Sequence, residues 1–442
     1  MKSNASSAVA VALLLIVSGV GGVVVGANTG TAAQASTQSA DSYVVEQGDL
    51  CQPIEPLSTD GTVESFYDYR NHETHPDADP EERQYSSYGT EHLQEDDTSL
   101  LFLHQGTDGT SLVVIHDQVN GDTEGGVATF DIVGLPAESE WVVQDDLYDG
   151  ESNMAEWDEG EGWVSASWIW RDARTDGGAV QGGLNDEFVA TIHPRFNENS
   201  PFYGDDELYD PEFFEDGEIT DWHVLSGDAE NPERTEIPSL EDPVTIRTGT
   251  CDDPSVAYDR TDDGLLAGVA GASADDRVFL QPTTGSADDV HFERIELTGL
   301  EGDATFAFEN DRPDGPPESP DDVESLSHLS VETDADVSGT VDFTVDADLL
   351  SERELEPDEL ALYEVNGSAW TESETTVRDD SGGAYHLTAN VSSMDGFAVA
   401  QQQPEPTDEG SHAYPSPGFE AGAALVVVFS LAVVWVLRDR RG

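Results

Sequence analysis

Between residues 43 and 400 the chain falls into short apolar-rich runs, several of them alternating apolar and polar positions, separated by acidic, glycine-rich stretches. The clearest runs in the first half are "SLLFLH", "SLVVIHD", "VATFDIVGLP", "EWVVQDD", "WVSASWIW", "EFVATIHP" and "EITDWHVL". Successive side chains of a strand point to opposite faces, so a period of two marks a strand with one buried face. Short strands recurring with turn signals between them predict an all-β sandwich or barrel. "GTDGTSLVV" and "GLPAESEWVV" supply tight connections, and no long helical period appears in this block. In "WVSASWIW" the same period places Ala166, Trp168 and Trp170 on one face and Trp163 and Ile169 on the other. One face is expected in the core, and the other is a second packed layer or an exposed aromatic platform.

After Cys251 a Gly/Ala/Asp-rich stretch, "DRTDDGLLAGVAGASADDRVF", changes the texture before strands resume with "HFERIELTG" and "DATFAFEN". "DRPDGPPESPDD" reads as a surface loop. Beyond it, "LSHLSVETD", "SGTVDFTVD", "ALYEVNGSAW", "ESETTVRD", "AYHLTANVS" and "GFAVAQ" predict a second sandwich. Between two of these, "LLSERELEPDEL" predicts a helix of one to two turns ending before Pro357. The expected fold class is therefore all-β, as two tandem antiparallel β-sandwich domains over 43–252 and 256–400. A polar, proline-containing linker follows over 401–416.

The two ends break the pattern. Lys2 precedes the apolar stretch Ala8 to Gly26, and Ala33-Gln34-Ala35 has the small-residue form of a cleavage site, so 1–35 is expected to be a signal peptide cleaved at Ala33 and Ala35. An uncleaved membrane helix is the alternative. Residues 421–437 are apolar and followed by Arg438, Arg440 and Arg441. As a helix this run spans about 25 Å, the short limit for crossing a bilayer. The arginines would stay cytoplasmic, leaving the body of the protein outside.

Charge sharpens the picture. The chain of 442 residues has 93 acidic against 17 basic side chains, a formal net charge of −76, and Lys2 is its sole lysine. Intrinsic disorder combines high charge with few apolar residues, whereas this chain is 37% hydrophobic with eight tryptophans. A folded protein suited to concentrated salt fits better, because at about 1 M salt the Debye length falls to roughly 3 Å and surface repulsion is screened. The balance resembles that of proteins from halophilic archaea. No basic patch is available to meet phosphates, which excludes nucleic acid as a partner.

Export makes a disulfide chemically accessible. Cys51 and Cys251 stand near the two ends of the first block, in "GDLCQPIEP" and "TGTCDDP", and a bridge between them would clasp it. Free thiols or a catalytic cysteine are the alternative, without a histidine-rich neighbourhood to support them.

Two stretches resemble known families. Pro417-Gly418-Phe419, the apolar run and the terminal arginines together resemble the PGF-CTERM sorting signal of archaeal surface proteins, covering 417–442. The resemblance implies that an archaeosortase reads the tail and removes it in exchange for a lipid, in the manner of a GPI signal. A retained single-span anchor is the alternative; Glu420 stands directly after the motif, where the family often has a small residue. The segment from about 276 to 400 resembles the PGF-pre-PGF domain. The positions that carry this are Val341 to Val345, Leu349-Leu350, Leu360 to Val365, Trp370 and Phe397. It implies a membrane-proximal β-domain without known chemistry.

Candidate chemistry is sparse. Asn366 (Asn-Gly-Ser) and Asn390 (Asn-Val-Ser) are N-glycosylation sequons. "NHETHPDADPEE" carries His72 and His75 with Asp77 and Asp79, a spacing open to a divalent metal, but in a chain this acidic a solvated loop is the expected reading, and no metal or cofactor is expected. His104, His116 and Asp117 would need to converge in a cleft, with His193 on a further strand, to support a hydrolase. G-x-S-x-G, H-E-x-x-H and P-loop motifs are absent from the sequence. Trp168 and Trp170, if exposed on a flat face, would form a platform for sugar rings. The expectation is a non-enzymatic surface protein, anchored at its C-terminus on the extracellular face of the membrane. Its role would be structural or adhesive, among envelope proteins or polysaccharide, and a carbohydrate-binding module is the alternative.

Overall fold

Strands β1 (Tyr43–Gln47), β2 (Leu50–Ile54) and β3 (Leu57–Ser58) open the fold, followed by a single helical turn, α1 (Val63–Tyr67). The computed structural model describes residues 42–69, 86–122, 124–146, 155–203, 217–261, 264–283, 289–313, 315–317, 319–320, 323–381 and 383–402. The signal-peptide region with Ala33 and Ala35, the loop with His72 and His75, Pro417-Gly418-Phe419 and the run 421–437 lie outside the described residues. Among the described residues no helix is long and apolar enough to cross a membrane.

Eleven further strands complete the first half. They are β4 (Thr98–Gly106), β5 (Gly109–His116), β6 (Gly126–Val133), β7 (Glu140–Gln144) and β8 (Ala155–Gly160). Then come β9 (Trp163–Trp170), β10 (Asp176–Gln181), β11 (Val189–Phe196), β12 (Asp221–Ser226), β13 (Glu233–Glu236) and β14 (Val244–Thr248). One sheet runs β2-β1-β14-β11-β6-β9-β8, and the other runs β13-β12-β4-β5-β10-β7 with β3 also on β4. Pairing is antiparallel except where β3 and β12 lie parallel to β4. The two sheets share a core of Val45, Leu101, Leu103, Leu112, Val114, Phe130, Ala166, Trp168, Trp170 and Trp222, the packing of a β-sandwich.

The second sheet is buried on both sides. Leu100, Phe102, Val113 and Ile115 point away from the shared core into a separate apolar cluster with Leu57, Val63, Tyr67, Tyr69 and Leu93. This explains why "SLLFLH" is continuously apolar, since a strand covered on both faces has no reason to alternate. The cover is held in place by α1, where the Thr62 hydroxyl accepts from the Ser65 backbone N–H and Asp68 closes the turn at φ 52°.

The second half holds β15 (Ser255–Arg260), β16 (Leu265–Ala272), β17 (Val278–Leu280), β18 (Val290–Thr298), β19 (Gly302–Glu309) and β20 (Ser325–Thr333). It continues with β21 (Ser338–Asp346), helix α2 (Ala347–Arg353), β22 (Leu360–Asn366), β23 (Ala369–Glu372), β24 (Thr375–Ser381), β25 (Ala384–Val391) and β26 (Gly396–Gln401). Two antiparallel sheets result, β15-β16-β19-β20-β26-β22-β23 and β17-β18-β21-β25-β24. Phe306, Phe308, Leu329, Phe343, Leu362, Leu387 and Phe397 fill the space between them. The helix starts at Ala347, two residues before the stretch expected from sequence, and ends well before Pro357, with Glu354 left-handed at φ 56° as its cap.

The two halves are joined by a buried seam. Val133 and Val189 belong to the same apolar cluster as the second-half core. Tyr258, 1% exposed, is the pivot: its N–H donates to Thr191 Oγ1 at 2.9 Å, and its hydroxyl accepts from the Gln281 N–H at 2.7 Å. Gln281 Oε1 in turn accepts from the Val189 N–H at 3.0 Å. Gly134 (φ 75°) and Gly162 (φ 71°) are required here, since a Cβ would lie 2.1 Å from the Tyr258 ring and 1.9 Å from Thr283 Oγ1 respectively. All described residues fall within one compact unit.

Candidate functional site

Cys51 and Cys251 form a disulfide with Cα atoms 5.8 Å apart, closing a separation of 200 residues. The chain-entropy model assigns such a loop roughly 5 kcal/mol of constraint on the unfolded state. The bridge ties β2 to the turn that leads into the second half. Beside it, Arg247, 3% exposed, donates to both Glu46 oxygens at 3.2 and 2.7 Å and to the carbonyls of Thr248, Thr250 and Asp253. The Ser255 hydroxyl donates to the same Glu46 carboxylate at 2.8 Å. One arginine and one carboxylate thus fasten the crossover between the halves.

The aromatic platform is overturned. Trp168 and Trp170 are 0% and 1% exposed because Val164, Ala166, Trp168 and Trp170 form the face of β9 turned to the opposing sheet. The other face is covered as well: Trp163 packs against the second-half core with the Arg260 guanidinium 3.6 Å over its ring. Trp222 is also fully buried, Trp141 is 7% exposed, and Tyr203 is the exposed large hydrophobic residue among the described ones.

The histidines do not converge. In the β4–β5 hairpin His104 stands opposite Ser111 and His116 opposite Ser99, so they occupy opposite ends. His104 stacks on Phe66 at 4.6 Å and bonds Thr59, whereas His116 lies among Phe130, Trp168, Trp170 and Phe196. Burial pushes the His116 pKa down to about 3, which makes it a neutral core residue. Asp117 accepts from the Trp170 indole at 2.9 Å and from the N–H groups of Asp97 and Gln118. His193 bonds the Tyr258 carbonyl at 2.8 Å in the seam. Both sequon asparagines are exposed, Asn366 at the β22–β23 turn and Asn390 on β25. The Ser392 hydroxyl of the second sequon is held by Glu364 at 2.6 Å.

A cluster that the sequence does not single out stands at one end of the doubly covered sheet. The chain leaves β7 through Asp145 and Asp146, with Asp146 left-handed at φ 61°, and enters β10 at Asp176. Donor oxygens of the three carboxylates all lie within 4.8 Å of one another. Asp145 and Asp176 are 0% and 1% exposed, and Asp146 is half-buried. Tyr67 at the end of α1 donates to Asp145 Oδ2 at 2.8 Å, and the Tyr69 hydroxyl donates to Asp146 Oδ1 at 3.1 Å while accepting from the Asp146 N–H at 2.7 Å. Among the described residues, Asp145 Oδ1 and both Asp176 oxygens have no hydrogen-bond partner.

Burial, then mutual repulsion, raises the pKa of Asp145 and Asp176 well above the carboxylate range, and burial pushes Asp146 up to about 7. Such a group can be neutralised by protons or by a hard cation. A cleft of about 200 Å³ at the seam is lined by residues that include Arg247, Arg277, Arg294, Glu187 and Glu296. Those arginines are already paired with Glu46, Glu296 and Glu187, so among the described residues no free cation faces it.

No protein-family model, curated protein or solved structure matches this chain.

Proposed function

We propose that this chain is an exported surface protein of a halophilic archaeon, held at the outer face of the membrane by its C-terminal segment. Its role is structural or adhesive within the envelope rather than enzymatic. An archaeosortase acting at Pro417-Gly418-Phe419 is its proposed processing partner, with envelope proteins or polysaccharide as its neighbours.

The observation that carries this reading is the Cys51–Cys251 bridge, a clasp across 200 residues of sequence. Bridges of this kind persist in oxidising surroundings outside the cytosol. The strongly acidic composition and the apolar run followed by arginines support the same reading. With Trp168 and Trp170 in the core, the carbohydrate platform has no surface to stand on.

Intact mass of the membrane-associated protein from its native host, with both ends mapped, tests the proposal. Loss of the segment after Phe419 together with added lipid mass is expected. A chain running intact to Gly442 means a retained single-span anchor, and a chain recovered only from the cytosol sinks the export reading. Glycan mass is expected at Asn366, which sits in an exposed turn.

A further inference from the structure

The cluster of Asp145, Asp146 and Asp176 gathers three carboxylates into one small buried volume, and its tyrosine partners bring hydrogen bonds but no positive charge. Arg174 acts on Asp146 from a distance and lowers its proton affinity. A buried carboxylate oxygen with neither donor nor counter-charge is strongly destabilising. Here three such oxygens, Asp145 Oδ1 and both of Asp176, lie together in residues that solvent does not reach.

We propose that these three aspartates form a calcium site that pins the covering layer of α1 to the ends of β7 and β10. The donor set is all oxygen and contains neither histidine nor cysteine, which selects a hard cation over zinc or copper. Two donors on opposite sides of a calcium ion, each at about 2.4 Å, stand about 4.8 Å apart. The donor oxygens of the cluster, all within 4.8 Å of one another, are close enough to bind one ion together. Magnesium requires a tighter and more regular octahedron, at about 2.1 Å. The tyrosine hydroxyls each bond one oxygen of Asp145 and Asp146, which restrains the carboxylates and leaves Asp145 Oδ1 and both Asp176 oxygens for the ion. Half-buried Asp146 gives the ion its way in. A divalent ion against three carboxylates also neutralises more of the charge than sodium can. Such a site forms wherever the protein resides, so it stands or falls apart from export and anchoring.

The full-length protein is held in about 2 M NaCl, so that weak binding to the acidic surface is screened. Thermal unfolding, followed by tryptophan fluorescence, is compared in EGTA and in about 10 mM CaCl2, well above the sub-millimolar to millimolar affinities of extracellular calcium modules. The midpoint is expected to rise by several degrees with calcium and by much less with MgCl2. Asp176→Asn is expected to lose the calcium-dependent rise while melting in EGTA no lower than the unmodified protein, since it removes a repelling charge. Calorimetric titration of the unmodified protein is expected to show one saturable site, and it decides the matter even if the variant fails to fold. Absence of that site, or an equal calcium response in Asp176→Asn, overturns the proposal; the first result leaves protons as the neutralising species.

Discussion

Two groups of carboxylates withdrawn wholly or partly from solvent differ in the company they keep. At the seam between the halves each meets a cationic partner: Glu46 meets Arg247 at 2.7 Å, Glu187 meets Arg294 at 2.5 Å, and Glu161 meets His291 at 2.8 Å. At the end of β7 and β10, Asp145 and Asp176 meet one another, with tyrosine hydroxyls as the neighbours. A chain with 17 basic side chains for 93 acidic ones cannot pair them all. Arg247 and Arg294 are placed where the two β-sandwiches are held together, and the three-aspartate cluster is left to an ion from solution. Pairing through the chain's own cations makes the seam a fixed part of the fold, whereas the cluster's contribution depends on what the medium supplies.

The largest expected effect comes from breaking the seam at its most buried pair. Arg247→Ala leaves half-buried Glu46 without its cationic partner and strips three backbone carbonyls of their donor. Removing one partner of a buried ion pair costs about 3–5 kcal/mol. Urea unfolding in high salt measures it. A loss under about 1 kcal/mol, the range of exposed pairs, would show that the fastening carries little of the seam.

A pair of smaller substitutions tests the contrast itself, because both neutralise one carboxylate. Glu187→Gln takes the partner from Arg294, in a pair whose side chains are each 26% exposed, and is expected to cost about 1 kcal/mol. Asp176→Asn removes one of three crowded negative charges, and in chelator it is expected to stabilise by on the order of 1 kcal/mol. Opposite signs in the same buffer are the prediction. If both variants are destabilised in EGTA, the cluster is balanced within the protein and the contrast fails.

Much of the strand layout is legible in the sequence, because most strands pack one face and expose the other or are wholly apolar. The stretch 255–280 is not legible, although it forms β15, β16 and β17. Val256, Tyr258, Leu265, Ala267 and Val269 do alternate inward, but alanine and glycine at neighbouring positions blur the contrast. The separation of His104 from His116 follows from hairpin register once "GTDGT" is taken as the turn, so that candidate was decidable in advance. The three-aspartate cluster was not. Asp145-Asp146 reads as the polar tail of "EWVVQDD" and Asp176 as part of a turn, in a chain where acidic residues are everywhere. What sets them apart is burial, and that arises from β10 pairing with both β5 and β7 and from the cover of Tyr67 and Tyr69, contacts far apart in sequence. The tryptophan platform failed for a related reason. Period-two spacing shows that Trp168 and Trp170 share a face, but which face a second sheet covers depends on long-range pairing.

The smallest effect concerns a seam contact made by a histidine whose proton affinity the fold raises, His291. The Glu161 carboxylate, bonded to His291 Nδ1, holds the histidine's proton more tightly than an unfolded chain does, against the opposing effect of burial. A proton bound more tightly in the fold stabilises it wherever the ring is charged in both states. That contribution is therefore complete below pH about 6.5, the unperturbed histidine value, and is lost as pH rises through the folded value above it. His291→Gln is accordingly expected to be less stable than the unmodified protein at pH about 5.5, with the gap narrowing by pH about 8.5. The direct hydrogen bond should survive concentrated salt, because screening acts mainly between charges separated by more than a Debye length. A gap that stays constant across this range would mean that the His291–Glu161 contact acts through packing alone.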